Sequence, residues 1–564
     1  MTTIDWIFLA LTLISIIAFG LYKSTKDTNI DGYLLGNKSL PWYHVGFSVM
    51  ATQASAITFL SAPGQGFTDG MRFVQFYFGL PLAMVVLSIT FVPIFHRLKV
   101  FTAYEFLENR FDSKVRIFTA ILFLISRGMA TGISIYAPSI IISTIFGWDI
   151  TITNLIMGGI VLIYTVVGGT KAISYTHLQQ MVFVTFAMFF AGYMVIHLLP
   201  TEIGFLDAIK IAGKTNHVNV IDLEFNPKER YNLWSGLIGG FFLQLSYFGT
   251  DQSQVGRYLT ASSIKQSRMG LIMNGLIKIP MQFGILLIGV FVYVFYLFNT
   301  SPVFFNKVET EKIIKSEYSE SYLKIESKNK KLNLERNLEV NKLHQAIQSD
   351  NKAEIGISQA RIKTLDVKQK ELKSEVSDII KKNNPEGDPN DVNYIFLRFI
   401  LDHLPHGFIG LLIAIIFSAS MGSVASAYNS LAATSLIDVI NKTKFKPQNS
   451  KKELLYSKLL TIFWGIFCIL IASFAQKLGN SMIELVNILG SWFYGVILGI
   501  FLVAFYAKQI NANSIFYGAI IAQIFVILIW KYELVAFLWL NPIGVMFVYS
   551  FSWVIQKYLQ KNMV

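Results

Sequence analysis

A chain of 564 residues that is 53% hydrophobic and only 15% charged falls well below the roughly 25% charged content of soluble domains, which excludes an ordinary water-soluble enzyme. Of its 83 charged side chains, 33 lie between Ser301 and Asp391, as 17 basic and 16 acidic residues, so the net charge of +13 sits almost wholly beside apolar segments. That distribution is the positive-inside bias of a membrane protein and not the basic face of a nucleic-acid binder. A helix crossing about 30 Å of hydrocarbon needs about 20 mostly apolar residues. About thirteen runs qualify, near 4–22, 43–63, 73–95, 116–145, 150–168, 178–199, 233–255, 269–298, 408–438, 455–476, 483–507, 513–530 and 534–556. The first has no basic segment before it and is followed by Lys23 and Lys26, as in a retained helix and not a cleaved signal. With the N-terminus outside, the inner loops carry 17 Lys and Arg, among them Lys38, Lys99, Arg116, Arg257 and Lys442, against 6 in the outer loops at 64–73, 146–152, 200–232 and 477–482. The expected topology is N-terminus outside and C-terminus cytoplasmic.

Three runs depart from featureless hydrocarbon. The second contains Met50-Ala51-Thr52-Gln53-Ala54-Ser55-Ala56-Ile57-Thr58, then Pro63-Gly64; the seventh contains Gly239 through Gln252 with Gln244, Ser246, Thr250 and Asp251. These open two five-helix sets, and paired interruptions at corresponding places predict an inverted-repeat secondary transporter with a midplane site. The alternative is that Gly, Ser and Thr merely let helices approach closely. The ninth run holds Ser418-Ala419-Ser420-Met421-Gly422-Ser423-Val424-Ala425-Ser426, with Asn429-Ser430 and Asp438 beyond. Hydroxyls at that spacing line one helix face and suit a hard cation such as Na⁺, or else form a small-residue packing stripe. Arg127 and Lys278 sit inside apolar runs, where a charge costs at least a few kcal/mol and marks a pathway or a pair; snorkelling of Lys278 and pairing of Arg127 with a helix-end carbonyl are the bland readings. Asn487, behind Glu484, is a weaker candidate for a neutral contact.

The 301–391 segment carries Leu334, Leu338, Leu343, Ile347, Ile355, Ile362, Leu365, Leu372, Val376 and Ile380 at helical spacing, interrupted near Asp350-Asn351 and Gly356. It predicts a charged extracytoplasmic helical hairpin, read either as an arm for a protein partner or as a solvated insertion with no part in the chemistry. The chain divides accordingly into 1–300 (helices 1–8, the first repeat 43–199, the second beginning at 233), the 301–391 insertion, and 392–564 (helices 9–13). The lone Cys468 excludes an intrachain disulfide and a Cys-based metal site. No phosphate-binding loop, His-Glu-x-x-His or Gly-x-Ser-x-Gly string occurs, so neither enzymatic chemistry nor ATP-driven transport is expected.

The string Ala51 to Gly64, Val92-Pro93-Ile94-Phe95 leading to Thr102 through Phe111, Gly168-Gly169-Thr170-Lys171-Ala172, Thr250 through Tyr258, and Asn429-Ser430 to Asp438 together resemble the sodium:solute symporter family, over essentially everything but 301–391. The resemblance implies an all-α leucine-transporter-like fold of five plus five inverted helices, with an extra N-terminal helix and trailing C-terminal ones. It implies Na⁺ as coupling ion, held by backbone carbonyls of Ala51, Ala54 and Ala419 and the Ser423 hydroxyl, with Ser420 or water in place of the Ser that relatives carry at Gly422. It implies Gln53, Thr58, Gln75, Gln244, Tyr247, Phe248, Lys278 and Asn487 as substrate-cavity positions, Tyr247 or Phe248 as aromatic gate, and Arg127 near a carboxylate-binding Arg. His177 stands where relatives have Asp, and Ala425 where two-sodium members have a hydroxyl; both predict one Na⁺ per solute. The reading is a symporter importing a carboxylate, sugar or sugar acid, functional as a monomer, with the solute and membrane lipid as partners. The rival of another class is a non-transporting sensor on the same fold.

Overall fold

The computed structural model describes residues 1–23, 39–98, 100–475 and 481–561. Lys26, Lys38, Lys99 and positions 477–480, which enter the loop-charge tally, lie outside them. Among the described residues there is no β-strand, only an isolated bridge between Leu40 and Ala261. In chain order the helices are α1 (Thr3–Lys23), α2 (Trp42–Gln53), α3 (Ala56–Asp69), α4 (Leu80–Ile89), α5 (Phe91–Leu98), α6 (Glu105–Arg110), α7 (Ser113–Phe146), α8 (Ile150–His197), α9 (Phe205–Lys214), α10 (Gly240–Thr250), α11 (Gln252–Tyr258) and α12 (Ile264–Phe298). There follow α13 (Lys307–Ile314), α14 (Ser319–Gln348), α15 (Lys352–Asn383), α16 (Val392–His403), α17 (Phe408–Thr434), α18 (Ser450–Ala475), α19 (Met482–Ser491), α20 (Tyr494–Tyr506), α21 (Ala512–Lys531) and α22 (Leu540–Lys561). Polar residues at the edges of the apolar runs cap them. The Asp112 carboxylate accepts from Val115 N, Asp149 from Thr151 N and the Ser263 hydroxyl from Gln266 N, each satisfying a donor that a helix start would otherwise leave orphaned.

Eight helices among the described residues are long and apolar enough to cross a bilayer, or nine if the pair α19 and α20, bent by 41°, counts as one. The shortfall from thirteen has physical causes. The runs at 43–63 and 233–255 are broken: α2 has 12 residues, α10 11 and α11 7, each too short alone, while α3 continues with the run at 73–95 into the single span Ala56–Leu98. The runs at 150–168 and 178–199 belong to one continuous 48-residue helix, α8, and the loop expected between them does not form; the segments Ile150–Ile163 and Thr176–His197 are its apolar parts. The first run is apolar as a shorter stretch, Thr3–Ile16.

Around the breaks the backbones pack closely. Helix α12 runs along both α2 and α3, α17 along α7 and α8, and α16 along α3. A Cβ on Gly289 of α12 would collide with the Pro63 carbonyl of α3, one on Gly64 with the Val392 carbonyl of α16, and one on Gly66 with the Leu286 carbonyl of α12. Cys468 is fully buried, its thiol donating to the Gly128 carbonyl at 3.4 Å.

Segment 301–391 is a pair of long helices, α14 and α15, closed over a seam of Tyr322, Ile325, Leu332, Leu365, Leu372, Val376 and Ile380. The turn falls at Ser349–Asn351. Gly356 does not interrupt α15, and Leu334 and Leu338 are exposed, at 66% and 62%, instead of lying in the seam. The hairpin is docked, not free. Arg336 donates to the Tyr296 carbonyl at 2.9 Å, Asn337 to the Phe298 carbonyl at 2.7 Å, and the Tyr293 hydroxyl to Asp366 at 3.1 Å, which ties it to the end of α12. The Tyr136 hydroxyl near the end of α7 donates to Asp388 at 3.0 Å.

Candidate functional site

Both interrupted runs open where polar residues cluster. Between α2 and α3 the hydrogen bonds run from Ala54 N to Met50 O, Ser55 N to Gln53 O and Thr58 N to Ser55 O, and the Ser55 hydroxyl caps Ile57 N. That pattern leaves the Ala51 and Ala54 carbonyls without a backbone donor across the break, available to a cation. The second break lies at Asp251, whose φ of −76° and ψ of 117° are extended. Its Oδ1 accepts from Ser253 N at 2.8 Å and Ser253 Oγ at 2.6 Å, which starts α11. The Tyr104 hydroxyl donates to the carbonyl of Thr250, which ends α10, at 2.7 Å. The sequence string beginning at Gly239 extended too far toward the N-terminus: Ser235–Gly239 is a π-turn and α10 is continuous after it.

The first break and the part of α10 ahead of the second share one cavity. It is lined by Thr52, Gln53, Ser55, Ile57, Thr58, Phe76, Tyr77, Arg127, Ala130, Ser134, Leu243, Tyr247, Ser423, Ile483, Val486, Asn487 and Tyr494, and encloses about 80 Å³. Ligand clefts typically measure ~300–1,000 Å³, so a solute of more than a few heavy atoms enters only if these walls part. Of the expected substrate positions, Gln53, Thr58, Arg127, Tyr247 and Asn487 meet here.

Four others do not line it. Gln75 is fully buried and structural: its Nε2 donates to the Tyr231 carbonyl at 3.2 Å and its Oε1 accepts from Asp222 N at 3.0 Å, fastening the 215–234 segment. Phe248 is fully buried and outside the cavity, its ring 5.0 Å from that of Tyr247, which is the aromatic residue of the pair that reaches the cavity. Gln244 is buried with its amide unpartnered. Lys278 stands behind the wall, its Nζ 6.0 Å from the Tyr77 ring and without a hydrogen-bond partner.

Arg127 is paired, which spacing alone did not reveal. Its Nη1 lies 3.7 Å from Asp251 Oδ2, with 10% and 1% of the two side chains exposed, and its Cζ is 5.9 Å from the Tyr247 ring centroid. Tyr494 donates to the same Asp251 oxygen at 3.5 Å. Asp251 and Tyr494 were missed as functional candidates. Asp251 was in view inside the Thr250–Tyr258 string, but nothing in the sequence pairs it with a residue 124 positions earlier.

Ser423 faces this cavity and donates to the Ser420 carbonyl at 3.1 Å; Ser420 itself donates to the Ser134 carbonyl of α7 at 3.1 Å, which turns its hydroxyl away. Ala51, Ala54 and Ala419 are all buried nearby on the broken helix and α17. Gly422 abuts α8: a Cβ there would stand 2.6 Å from Gln180 Oε1 and 2.8 Å and 2.9 Å from His177 Cδ2 and Nε2. His177 is fully buried, with Nδ1 3.2 Å from the Ser48 hydroxyl of α2. The imidazole and the Gln180 amide together fill the space that a side chain at 422 would need.

At the end of α7 away from the hairpin, Arg116 binds Asp438 (Nη2 to Oδ1, 2.7 Å) and Glu108 (2.5 Å), Thr102 donates to Asp438 at 2.7 Å, and Lys442 binds Glu108 at 2.7 Å. Burial alone would raise the Glu108 carboxyl, but hydrogen bonds from Lys442, Ser113 and Arg116 outweigh it and hold it down at about 2.

A family model described as the sodium:solute symporter family matches residues 33–320 and 386–522, passing over nearly all of α14 and the whole of α15. The chain belongs to that family. Sodium-coupled solute transport is the family's activity, which sets aside the sensor alternative and an enzymatic role. The symporter is 23% identical over 511 residues to the human sodium/iodide cotransporter, covering 89% of this chain and 64% of that one. It is 23% identical over 536 residues to the sodium/sialic acid symporter NanT of Aliivibrio fischeri, covering 92% and 86%. It is 29% identical over 283 residues to sodium-coupled monocarboxylate transporter 1 of Xenopus laevis, covering 48% and 44%. Among solved structures, the substrate-bound outward-open state of a Na⁺-coupled sialic acid symporter superimposes with a TM-score of 0.74 at 21% identity over 99% of this chain and 98% of that one. That likeness establishes the leucine-transporter-like fold, and the symporter is a multi-pass membrane protein.

Proposed function

We propose that this symporter imports a small organic acid, a carboxylate or sugar acid, with one Na⁺ per solute by alternating access. Arg127 carries the reading: a guanidinium inside an apolar span costs a few kcal/mol or more, its partner Asp251 stands at 3.7 Å, and its buried Nε has no hydrogen-bond partner. A carboxylate would complete that fork bidentately, with Gln53, Thr58 and Asn487 as neighbouring polar contacts. The similarity to sodium/iodide, sodium/sialic acid and sodium-coupled monocarboxylate transporters favours an anion.

The sodium ion is assigned to the Ala51, Ala54 and Ala419 carbonyls and the Ser423 hydroxyl. The unladdered carbonyls at the first break and the position of Ser423 on the same cavity support this. His177, filling the space beside Gly422, and Ala425, which brings no oxygen, favour a single ion. The loop charges favour an external N-terminus and hairpin, with the C-terminus and the Arg116 cluster cytoplasmic, and the symporter acts as a monomer. Inward movement of one Na⁺ then yields about 2.3 kcal/mol per 100 mV. The ion biases the cycle only by binding one conformation better than the other.

Uptake into proteoliposomes tests this: acids, sugars and neutral amino acids are offered with and without a sodium gradient while radiolabelled sodium is followed. An acid taken up with a sodium Hill coefficient near one is expected. A coefficient near two with matching charge movement refutes the single ion, and sodium-dependent uptake of neutral solutes alone refutes the acid.

A further inference from the structure

The arginine of the cavity and the hinge of the second broken helix share one carboxylate. Asp251 is the residue at which α10 gives way to α11; its Oδ1 caps α11 through Ser253, and its Oδ2 faces both Arg127 Nη1 at 3.7 Å and the Tyr494 hydroxyl at 3.5 Å. The N–H···O range is 2.7–3.2 Å, so Arg127 and Asp251 attract as charges without closing a hydrogen bond. Gln254 on α11 also donates to the Tyr247 hydroxyl on α10 at 2.7 Å, a tie across the same break. The pair is neutral as a whole, and Lys278, off the cavity lining, has its Nζ 6.0 Å from the Tyr77 ring centroid.

We propose that the carboxylate of the solute competes with Asp251 for Arg127, so that binding an acid releases the break between α10 and α11 and lets α11 move. Asp251 is in this sense a positioning residue that converts the solute's charge into motion of the broken helix. The proposal rests on the acid reading above and adds to it how the solute is sensed. An added carboxylate makes Arg127 serve two anions in a low-dielectric site, and a charge-assisted bidentate contact at hydrogen-bond distance outcompetes one at 3.7 Å. The conformation favoured by the solute is then the one in which Asp251 has let go. Differential affinity of this kind is what a ligand needs to shift an equilibrium.

The test uses the full chain in lipid nanodiscs with saturating Na⁺, and two matched probe pairs: propionate with propionamide, and N-acetylneuraminate with its amide. Asp251→Asn keeps the size and the cap, since Asn caps helices as well as Asp, but removes the competing charge. Its expected signature is a Kd for the acid lowered at least tenfold, an unchanged Kd for the amide, and transport turnover reduced at least tenfold because release of the break is no longer linked to binding. Tyr494→Phe removes a donor that shares Asp251 with Arg127; it should weaken the acid about threefold and leave the amide alone. Equal shifts of acid and amide in Asp251→Asn, or weaker acid binding, overturn the proposal. If that variant does not fold, Tyr494→Phe decides through its opposite sign: an acid affinity unchanged or raised overturns it. A wild type that binds amide as tightly as acid, or neither probe pair, defeats the acid reading itself and the proposal with it. A wild type that prefers the acid with no gain in Asp251→Asn defeats the hinge coupling alone.

Discussion

Replacing Gly422 by alanine tests the packing at the candidate sodium site most directly. The added methyl would stand 2.6 Å from Gln180 Oε1 and 2.8–2.9 Å from the His177 ring, against an ordinary carbon contact of about 3.5–4.0 Å. Gln180 can swing its amide; His177 is fully buried and held against Ser48 of α2, so the ring or α17 must shift by several tenths of an ångström. Overpacking of this size costs about 1–3 kcal/mol. If the strain falls on the sodium-competent conformation, where Ser423 is next in the chain, half-saturating sodium for uptake rises about 5- to 150-fold. The assay is sodium-dependent uptake by Gly422→Ala, His177→Ala and the double variant in proteoliposomes, with thermal melting of each. The double variant should recover most of the loss, a coupling energy of about 1–3 kcal/mol. A Gly422→Ala variant with wild-type melting and sodium dependence, or losses that simply add in the double variant, would refute the reasoning.

Three further outcomes follow from the same geometry. Ser423→Ala should raise half-saturating sodium about tenfold while solute affinity at saturating sodium stays the same; unchanged sodium dependence of uptake removes Ser423 from the site. Asp438→Asn leaves Arg116, with 5% of its side chain exposed, without its fully buried carboxylate partner, and breaking a buried pair costs about 3–5 kcal/mol, so melting in detergent should drop by several degrees, whereas Lys442→Gln, removing a partly exposed partner of Glu108, should change it little. Asp388, buried at the hairpin base, has its carboxyl pushed up to about 7 by burial, with Asp391 and Glu309 adding to the rise and Asn390 N and Tyr136 opposing it. Because its folded value lies above the unfolded one, its contribution to stability is complete below about pH 4 and is lost as pH rises to about 7, so Asp388→Asn should melt higher than wild type at pH 8 and equally at pH 4. A gap of the same size at both pH values contradicts this.

The breaks were legible because bilayer spans are otherwise featureless: Thr52, Gln53, Ser55 and Thr58 have no reason to interrupt an apolar run unless they serve a cavity. The side chains around that cavity were less so. Gln244, Phe248 and Lys278 sit on helices with little apolar asymmetry, so spacing does not tell which face looks inward, Gln75 sits in the short 3-10 segment Gly70–Tyr77, and all four lie off the cavity. The Arg127 to Asp251 pair joins residues far apart in sequence, and the exclusion of a side chain at 422 by His177 is a matter of tenths of an ångström; neither has a local signature. The same limit applied to α8, where two separate apolar runs, 150–168 and 178–199, implied a loop between them and the backbone remains helical, and to Leu334 and Leu338, whose spacing placed them in a seam from which the rotation of α14 excludes them.

The glycine contacts among α3, α12 and α16 have a mechanical consequence. Where main chain rests on main chain at Gly64, Gly66 and Gly289, no side chain can rotate to absorb slippage, and the three rods swing as a single beam. The antenna formed by α14 and α15 is bolted to that beam at Tyr296 and Phe298, so its tip magnifies whatever tilt the beam undergoes. A dye pair placed on the exposed tip and on α22 would turn each transport cycle into a readable change of distance, far from any residue the solute touches.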